Sequence, residues 1–177
     1  MRKNIRIILW SVAIVFLVAV IVFVNFFGRK NITSGAGEGE ILNEFSITCV
    51  DGNSFNLSEQ KGKVVVINLW ATWCIPCVDE LPNFEKISEE FSGDVSVIAI
   101  HSTPVTTDVE EWLSDYSYTI PFAVDEDGSI SELLNASTVL PQTIVVNKNG
   151  IVSYNKSGSL NYEELRDIVS GALSENT

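Results

Sequence analysis

The sequence predicts an α/β domain: a central mixed β-sheet flanked by helices, with an N-terminal β-hairpin, preceded by one apolar segment long enough to cross a membrane. Three observations carry this expectation. Strand-length apolar runs alternate with helix-period segments from Val64 onward, which implies crossovers and a largely parallel centre. The central runs are apolar throughout rather than at alternate positions, as in strands buried on both faces. Turn signals set off hairpins at both ends, which implies antiparallel edges.

Residues 7–27, "IILWSVAIVFLVAVIVFVNFF", form an uncharged run of 21 residues. At about 1.5 Å per residue it reaches roughly 30 Å, the thickness of a bilayer's hydrocarbon core. A cleaved signal peptide has a shorter apolar region and a small-residue cleavage site. This run ends instead in Asn-Phe-Phe-Gly-Arg-Lys, with no cysteine to carry a lipid, and reads as an uncleaved signal anchor. Arg2, Lys3, Arg6 and the amine precede it, and Arg29 and Lys30 follow it; this bias favours residues 1–6 in the cytoplasm and the rest of the chain outside. Residues 28–40, containing "NITSGAGEGE", read as a flexible linker, and residues 41–177 as the globular domain.

Within that domain "FSITCV" and "SFNLS" flank Asp51-Gly52-Asn53, a hairpin signal. "KGKVVVINLW" is a turn followed by a buried strand. A helix is expected from Cys74 to Phe91, with Leu81, Phe84, Ile87 and Phe91 on its apolar face and Ser92-Gly93-Asp94 as its stop. "VSVIAI" is a second buried strand, Thr107–Tyr116 a helix opened by Asp108, and "PFAVD" a short strand. Ile130–Asn135 reads as a short helix. "QTIVVN" and "IVSYN" form a hairpin through Lys148-Asn149-Gly150, and Tyr162–Leu173 is a terminal amphipathic helix.

Charge excludes one class of partner. Residues 31–177 hold six basic residues against all 23 acidic ones, so this surface repels phosphate backbones and no nucleic acid is expected to bind it. It also suits a soluble domain held beside an anionic lipid bilayer.

The chemistry lies in "WCIPC". Of three cysteines, Cys74 and Cys77 stand three apart at the start of a helix, close enough to bridge. A sulfur at a helix N-terminus meets unpaired N–H groups and the positive end of the dipole, which favour the thiolate that attacks in disulfide exchange. Pro76 falls in the first turn, where its missing N–H is harmless, and Cys77 is placed to resolve a mixed disulfide on Cys74. Three other uses of such a pair are weaker. A zinc site would need Cys49 and His101 as further ligands. A c-type haem needs His after the second cysteine, where Val78 stands. A purely structural bridge usually closes a longer loop.

At these residues the chain resembles the thioredoxin superfamily, and within it the membrane-anchored TlpA/ResA-like branch of extracytoplasmic thiol–disulfide oxidoreductases. The matching residues are Trp73, Cys74, Pro76, Cys77, Glu80 and Pro82, with "SFNLSEQKGKVVVINLW" upstream; the similarity runs over roughly residues 41–173. The resemblance implies a thioredoxin-like fold with a central insertion. It implies Cys74 and Cys77 as the catalytic pair, and Glu80 as a carboxylate that tunes or moves their protons. Asn68 stands where ordinary thioredoxins carry a buried Asp and cannot exchange a proton, so that role goes elsewhere or is absent, with Glu80 as its candidate. Pro141 is implied to be a cis-proline ahead of a strand, with Leu140 turned outward to pair with a bound chain. Trp73 and Pro76 would complete the binding surface around the pair, and Trp70 would pack beside it. Gln142 departs from the family habit of Pro followed by Thr.

No cofactor or metal is expected. Cys49 reads as a small buried hydrophobe, and His101, ending a strand ahead of Ser-Thr-Pro, as a loop residue rather than a ligand. The resemblance implies reduction of disulfides in exported proteins, apocytochrome c among them, with electrons from a membrane thiol-reductant carrier of the CcdA/DsbD type. Rival readings are a dithiol oxidase working in the opposite direction, a thiol peroxidase using Cys49, and a copper-delivery module using Cys74, Cys77 and His101.

Overall fold

The structure is a computed structural model that describes residues 34–102 and 107–175, together with Leu17, Val18 and Val20. The expected membrane-spanning run lies otherwise outside the described residues. Among the described residues no helix is long and apolar enough to cross a membrane. The chain divides into two units, Met1–Ile32 and Thr33–Thr177, and the second holds everything below.

That unit opens with a hairpin of β1 (Ser46–Thr48) and β2 (Ser54–Asn56), followed by a 3-10 turn at Leu57–Gln60. The turn between the strands is held by Asp51, whose carboxylate accepts from the Asn53 backbone and side chain, and by Gly52 at φ 83°. The main sheet has five strands: β3 (Val64–Trp70), β4 (Val95–His101), β5 (Phe122–Val124), β6 (Gln142–Val146) and β7 (Val152–Ser157), in the order β5-β4-β3-β6-β7. β3, β4 and β5 run parallel; β6 and β7 are antiparallel to their neighbours. Every residue of β3 is buried, as its unbroken apolar run requires.

The helices are α1 (Ile75–Glu90), α2 (Val109–Leu113), α3 (Ser129–Leu133) and α4 (Tyr162–Ser174). α1 and α4 cover one face of the sheet, where Leu81, Phe84, Ile87, Leu165 and Val169 pack on Val64, Val66 and Trp70 with no solvent exposure. The opposite face packs Ile67, Leu69, Ile98, Ile100 and Ile144 against α3 and the N-terminal segment. The stretch between β4 and β6 supplies α2, β5 and α3. The mixed sheet flanked by helices is therefore as expected.

Three expectations change. The hairpin forms a separate two-stranded sheet rather than an extension of the main one; it touches β5 through the Cys49–Ala123 bridge and the Val50 N–H donated to the Phe122 carbonyl. The linker expected to run to residue 40 is laid against the sheet from Ser34 onward. Gly39 N–H donates to the Val152 carbonyl, Val152 N–H to the Glu40 carbonyl and Leu42 N–H to the Gly150 carbonyl, and Ala36 is buried. Small residues allow this: a Cβ on Gly35 would lie 2.2 Å from a Glu40 carboxylate oxygen. The outer edges of β5 and β7 are thus each met by another part of the chain, at Phe122–Ala123 and at Val152. Thirdly, α2 is shorter than expected, running from its Asp108 cap, which accepts from Glu111 N–H, only to Leu113.

Candidate active site

β3 ends at Trp70, and after four intervening residues α1 begins at Ile75. Cys74 is the N-cap of α1, in extended backbone conformation, and its carbonyl accepts from the N–H groups of Cys77 and Val78. Cys74 and Cys77 are joined in a disulfide with Cα atoms 5.2 Å apart. Pro76 lies in the first turn, as expected. Cys77 is wholly buried and Cys74 nearly so at 7% exposure, so the attackable face of the bridge is that of Cys74. Around it the surface is apolar: Trp73 is 51% and Ile75 75% exposed.

Glu80 lies beneath the pair, one turn along α1 from Cys77, and only 3% of it reaches solvent. One carboxylate oxygen accepts from Asn68 Nδ2 at 2.8 Å, the other from the Leu160 N–H at 2.9 Å. Burial raises its pKa to about 7, and these two donors hold back part of the rise. Glu80 is thus no solvated helix charge, whereas its neighbour Asp79 is exposed. Asn68 has a structural use: its amide holds one oxygen of the Glu80 carboxyl. The β3 register places it across from Thr143 on β6, at the centre of the sheet.

The Leu140–Pro141 peptide bond is cis. The Pro141 carbonyl accepts from Gly158 N–H at 2.8 Å, while Ser159 Oγ donates to the Pro76 carbonyl at 3.4 Å. The 158–159 turn therefore joins the cis-proline loop to the first turn of α1. Leu140 is half-buried against the core, and its neighbour Val139 is 60% exposed.

His101 is not a loop residue. It is the last residue of β4, fully buried, and its ring stands edge-on to Trp70 with centroids 5.3 Å apart. Its Nε2 accepts the Thr72 N–H at 3.1 Å, so it braces the turn that leads into Cys74. Burial pushes its pKa down, which keeps the ring neutral. Trp70 is packed among His101, Trp112 and Phe122. Among the described residues no group of three or more His, Cys, Asp or Glu side chains is placed to hold a metal. Cys49 is a buried free thiol whose pKa is raised by burial and by Asp51, which suits the small-hydrophobe reading and not a peroxide-attacking thiolate.

Sequence reasoning missed two participants. The Leu160 backbone lies 80 residues from Glu80, with no local signal in the sequence. Gln142, which the sequence shows only as a departure from the family habit, is buried on the sheet and hydrogen-bonded at both ends of its amide.

The family model described as Redoxin matches residues 37–170. The chain is 30% identical over 134 residues to Thioredoxin-like protein YneN of Bacillus subtilis, covering 74% of this chain and 78% of that one. It is 28% identical over 171 residues to Thiol-disulfide oxidoreductase ResA of Geobacillus kaustophilus, covering 93% and 95%. Among solved structures, the exposed lipoprotein thioredoxin Etrx1 of Streptococcus pneumoniae superposes with a TM-score of 0.67 at 25% identity, covering 73% of this chain and 99% of that one.

Proposed function

The chain belongs to the Redoxin family and is a thiol–disulfide oxidoreductase of the thioredoxin type; from that premise we propose that it works as an extracytoplasmic, membrane-tethered reductant of disulfides in exported proteins. The observation that carries the mechanism is a disulfide at the N-terminus of α1 with a buried carboxyl, poised near neutrality, one turn beneath it.

In the reduced enzyme the Cys74 thiolate, favoured by the helix N-terminus, attacks one sulfur of a substrate disulfide. A mixed disulfide forms, and the first substrate thiolate leaves and takes up a proton. Cys77 then gives its proton to the Glu80 carboxylate and attacks Cys74 Sγ. The Cys74–Cys77 bond closes and the second substrate thiolate is released. Two electrons have passed to the substrate, and a membrane thiol carrier of the CcdA/DsbD type restores them. A carboxyl with a pKa near 7 exchanges protons with a thiol at smaller free-energy cost than one at 4.5.

The substrate chain docks along the backbone before Pro141, with Trp73, Ile75, Val139 and Leu140 as its apolar surroundings. The uncharged run at residues 7–27, read as a signal anchor with a cytoplasmic N-terminus, supports the membrane tether. Apocytochrome c is the substrate proposed. In the native host, full-length Cys77→Ser enzyme is expected to retain apocytochrome c from the membrane fraction as a mixed disulfide on Cys74. Capture of other exported proteins without apocytochrome c would remove that substrate and leave the reductase reading; capture of none would remove both.

A further inference from the structure

We propose that Gln142 is a positioning residue for polypeptide substrates: its buried amide holds the 135–141 loop, which carries Val139, Leu140 and Pro141, in a preset docking conformation. This rests on the reading above that a polypeptide pairs with the backbone before Pro141.

Gln142 is the first residue of β6, directly after the cis bond, and is 3% exposed. Its side chain makes two short hydrogen bonds in opposite directions. Oε1 accepts from the Ser137 N–H at 2.6 Å, inside the loop. Nε2 donates to Asn155 Oδ1 on β7, also at 2.6 Å. The register explains the reach. Ile144 pairs with Asn155 and Gln142 with Ser157, so Gln142 and Asn155 are diagonal neighbours on one face, a gap that a side chain as long as Gln spans.

Asn155 is anchored in turn: its Nδ2 donates to the Ala36 carbonyl at 2.7 Å, in the N-terminal segment laid along β7. One chain of polar contacts therefore runs from Ala36 through Asn155 and Gln142 to Ser137. The loop is otherwise tied at its C-terminal end, where Gly158 N–H donates to the Pro141 carbonyl and Leu140 packs on the core. Asn135 sits at φ 51°, Ala136 N–H donates back to Ser131 in α3, and Val139 N–H donates to Ser137 Oγ within the loop. Among the described residues, the Gln142 side chain is the one hydrogen-bond partner of residues 137–140 from outside the loop and α3.

Thr, the residue the family habit would place after the proline, has a side chain too short to reach either partner. With Thr the Ser137 N–H and Asn155 Oδ1 lose their partner, and an incoming polypeptide must order the loop as it binds. A small disulfide, attacked directly at Cys74, does not use the loop. Gln142 thus favours long substrates over short ones.

The test uses the full chain in detergent, reduced beforehand, with two oxidants: an unfolded peptide closed by one disulfide, and hydroxyethyl disulfide. For Gln142→Thr and Gln142→Ala, the ratio of peptide kcat/KM to the hydroxyethyl disulfide rate constant should fall roughly tenfold, with the loss carried by KM, the size expected for one or two lost hydrogen bonds. An unchanged ratio, or equal losses with both oxidants, overturns the proposal. Should neither variant fold, Asn155→Ala, at a half-buried site, is read the same way and should lower the ratio a few-fold; no change there overturns it too. Failure of the wild-type protein to react with either oxidant would instead sink the reductase reading itself.

Discussion

Replacing Glu80 by Gln keeps the side chain's size and removes its charge. The site can accept the change: the Leu160 N–H still finds an oxygen, and Asn68 can turn its Oδ1, which has no hydrogen-bond partner, toward the new amide N–H. What disappears is a titration. In the fold Glu80 holds its proton up to about pH 7, against 4.5 for an ordinary Glu. Between those values the folded state binds more protons than the unfolded one, so stability falls as pH rises. The contribution of neutral Glu80 is present in full below pH 4.5, is lost as pH climbs toward 7, and stays lost above. From pH 5 to pH 8 the loss is roughly 2.5 kcal/mol at 1.36 kcal/mol per pKa unit. Urea unfolding of the oxidised Thr33–Thr177 unit, followed by fluorescence of its buried Trp70, measures it; oxidation removes the active-site thiols from the titration. The variant should gain about that much on the wild type across this range. A difference that stays flat from pH 5 to pH 8 would mean Glu80 is ionised throughout, and the proton-transfer role given to it would be wrong.

Other expectations concern the same frame. Asn68→Ala removes a donor that lowers the Glu80 pKa, so the midpoint of that pH dependence should move above 7, with a loss of about 1–3 kcal/mol at pH 7 for the disrupted pair; a midpoint at or below 7 would show that Asn68 does not hold the carboxylate. Asn161→Ala breaks the capping box of α4, in which Asn161 accepts from Glu164 N–H and Glu164 reaches back to Asn161 N–H, and should destabilise by about 1 kcal/mol in the same urea assay. Leu165→Ala empties a wholly buried site in the core under α1 and α4 and should destabilise by about 2–5 kcal/mol.

Strands and helices were legible where one physical signal dominated. β3 and β4 showed as unbroken apolar runs because both their faces are covered, and α1 showed through Leu81, Phe84 and Ile87, all with no exposure. The redox pair was legible because a helix N-terminus needs no tertiary information to be located. Glu80 could be nominated but not described: its raised pKa comes from burial, and the donors that hold its two oxygens are brought to it by the tertiary fold, Leu160 only once α4 has folded back on α1. The N-terminal segment misled for a comparable reason. Gly and small polar residues read as a flexible tether, yet the same small residues let the backbone lie against β7, and that contact is set by the strand rather than by the segment. His101 carried no sequence signal for burial; its place against Trp70 follows from the parallel register of β3 and β4, which pairs those two residues.

Cys74 is the sulfur that an incoming disulfide meets, and this is tested directly by trapping. Reduced Cys77→Ser protein, mixed with a peptide closed by one disulfide and digested for mass mapping, should carry the peptide on Cys74 alone. Finding it on Cys49, or finding no adduct while the peptide is still reduced, would contradict the central claim.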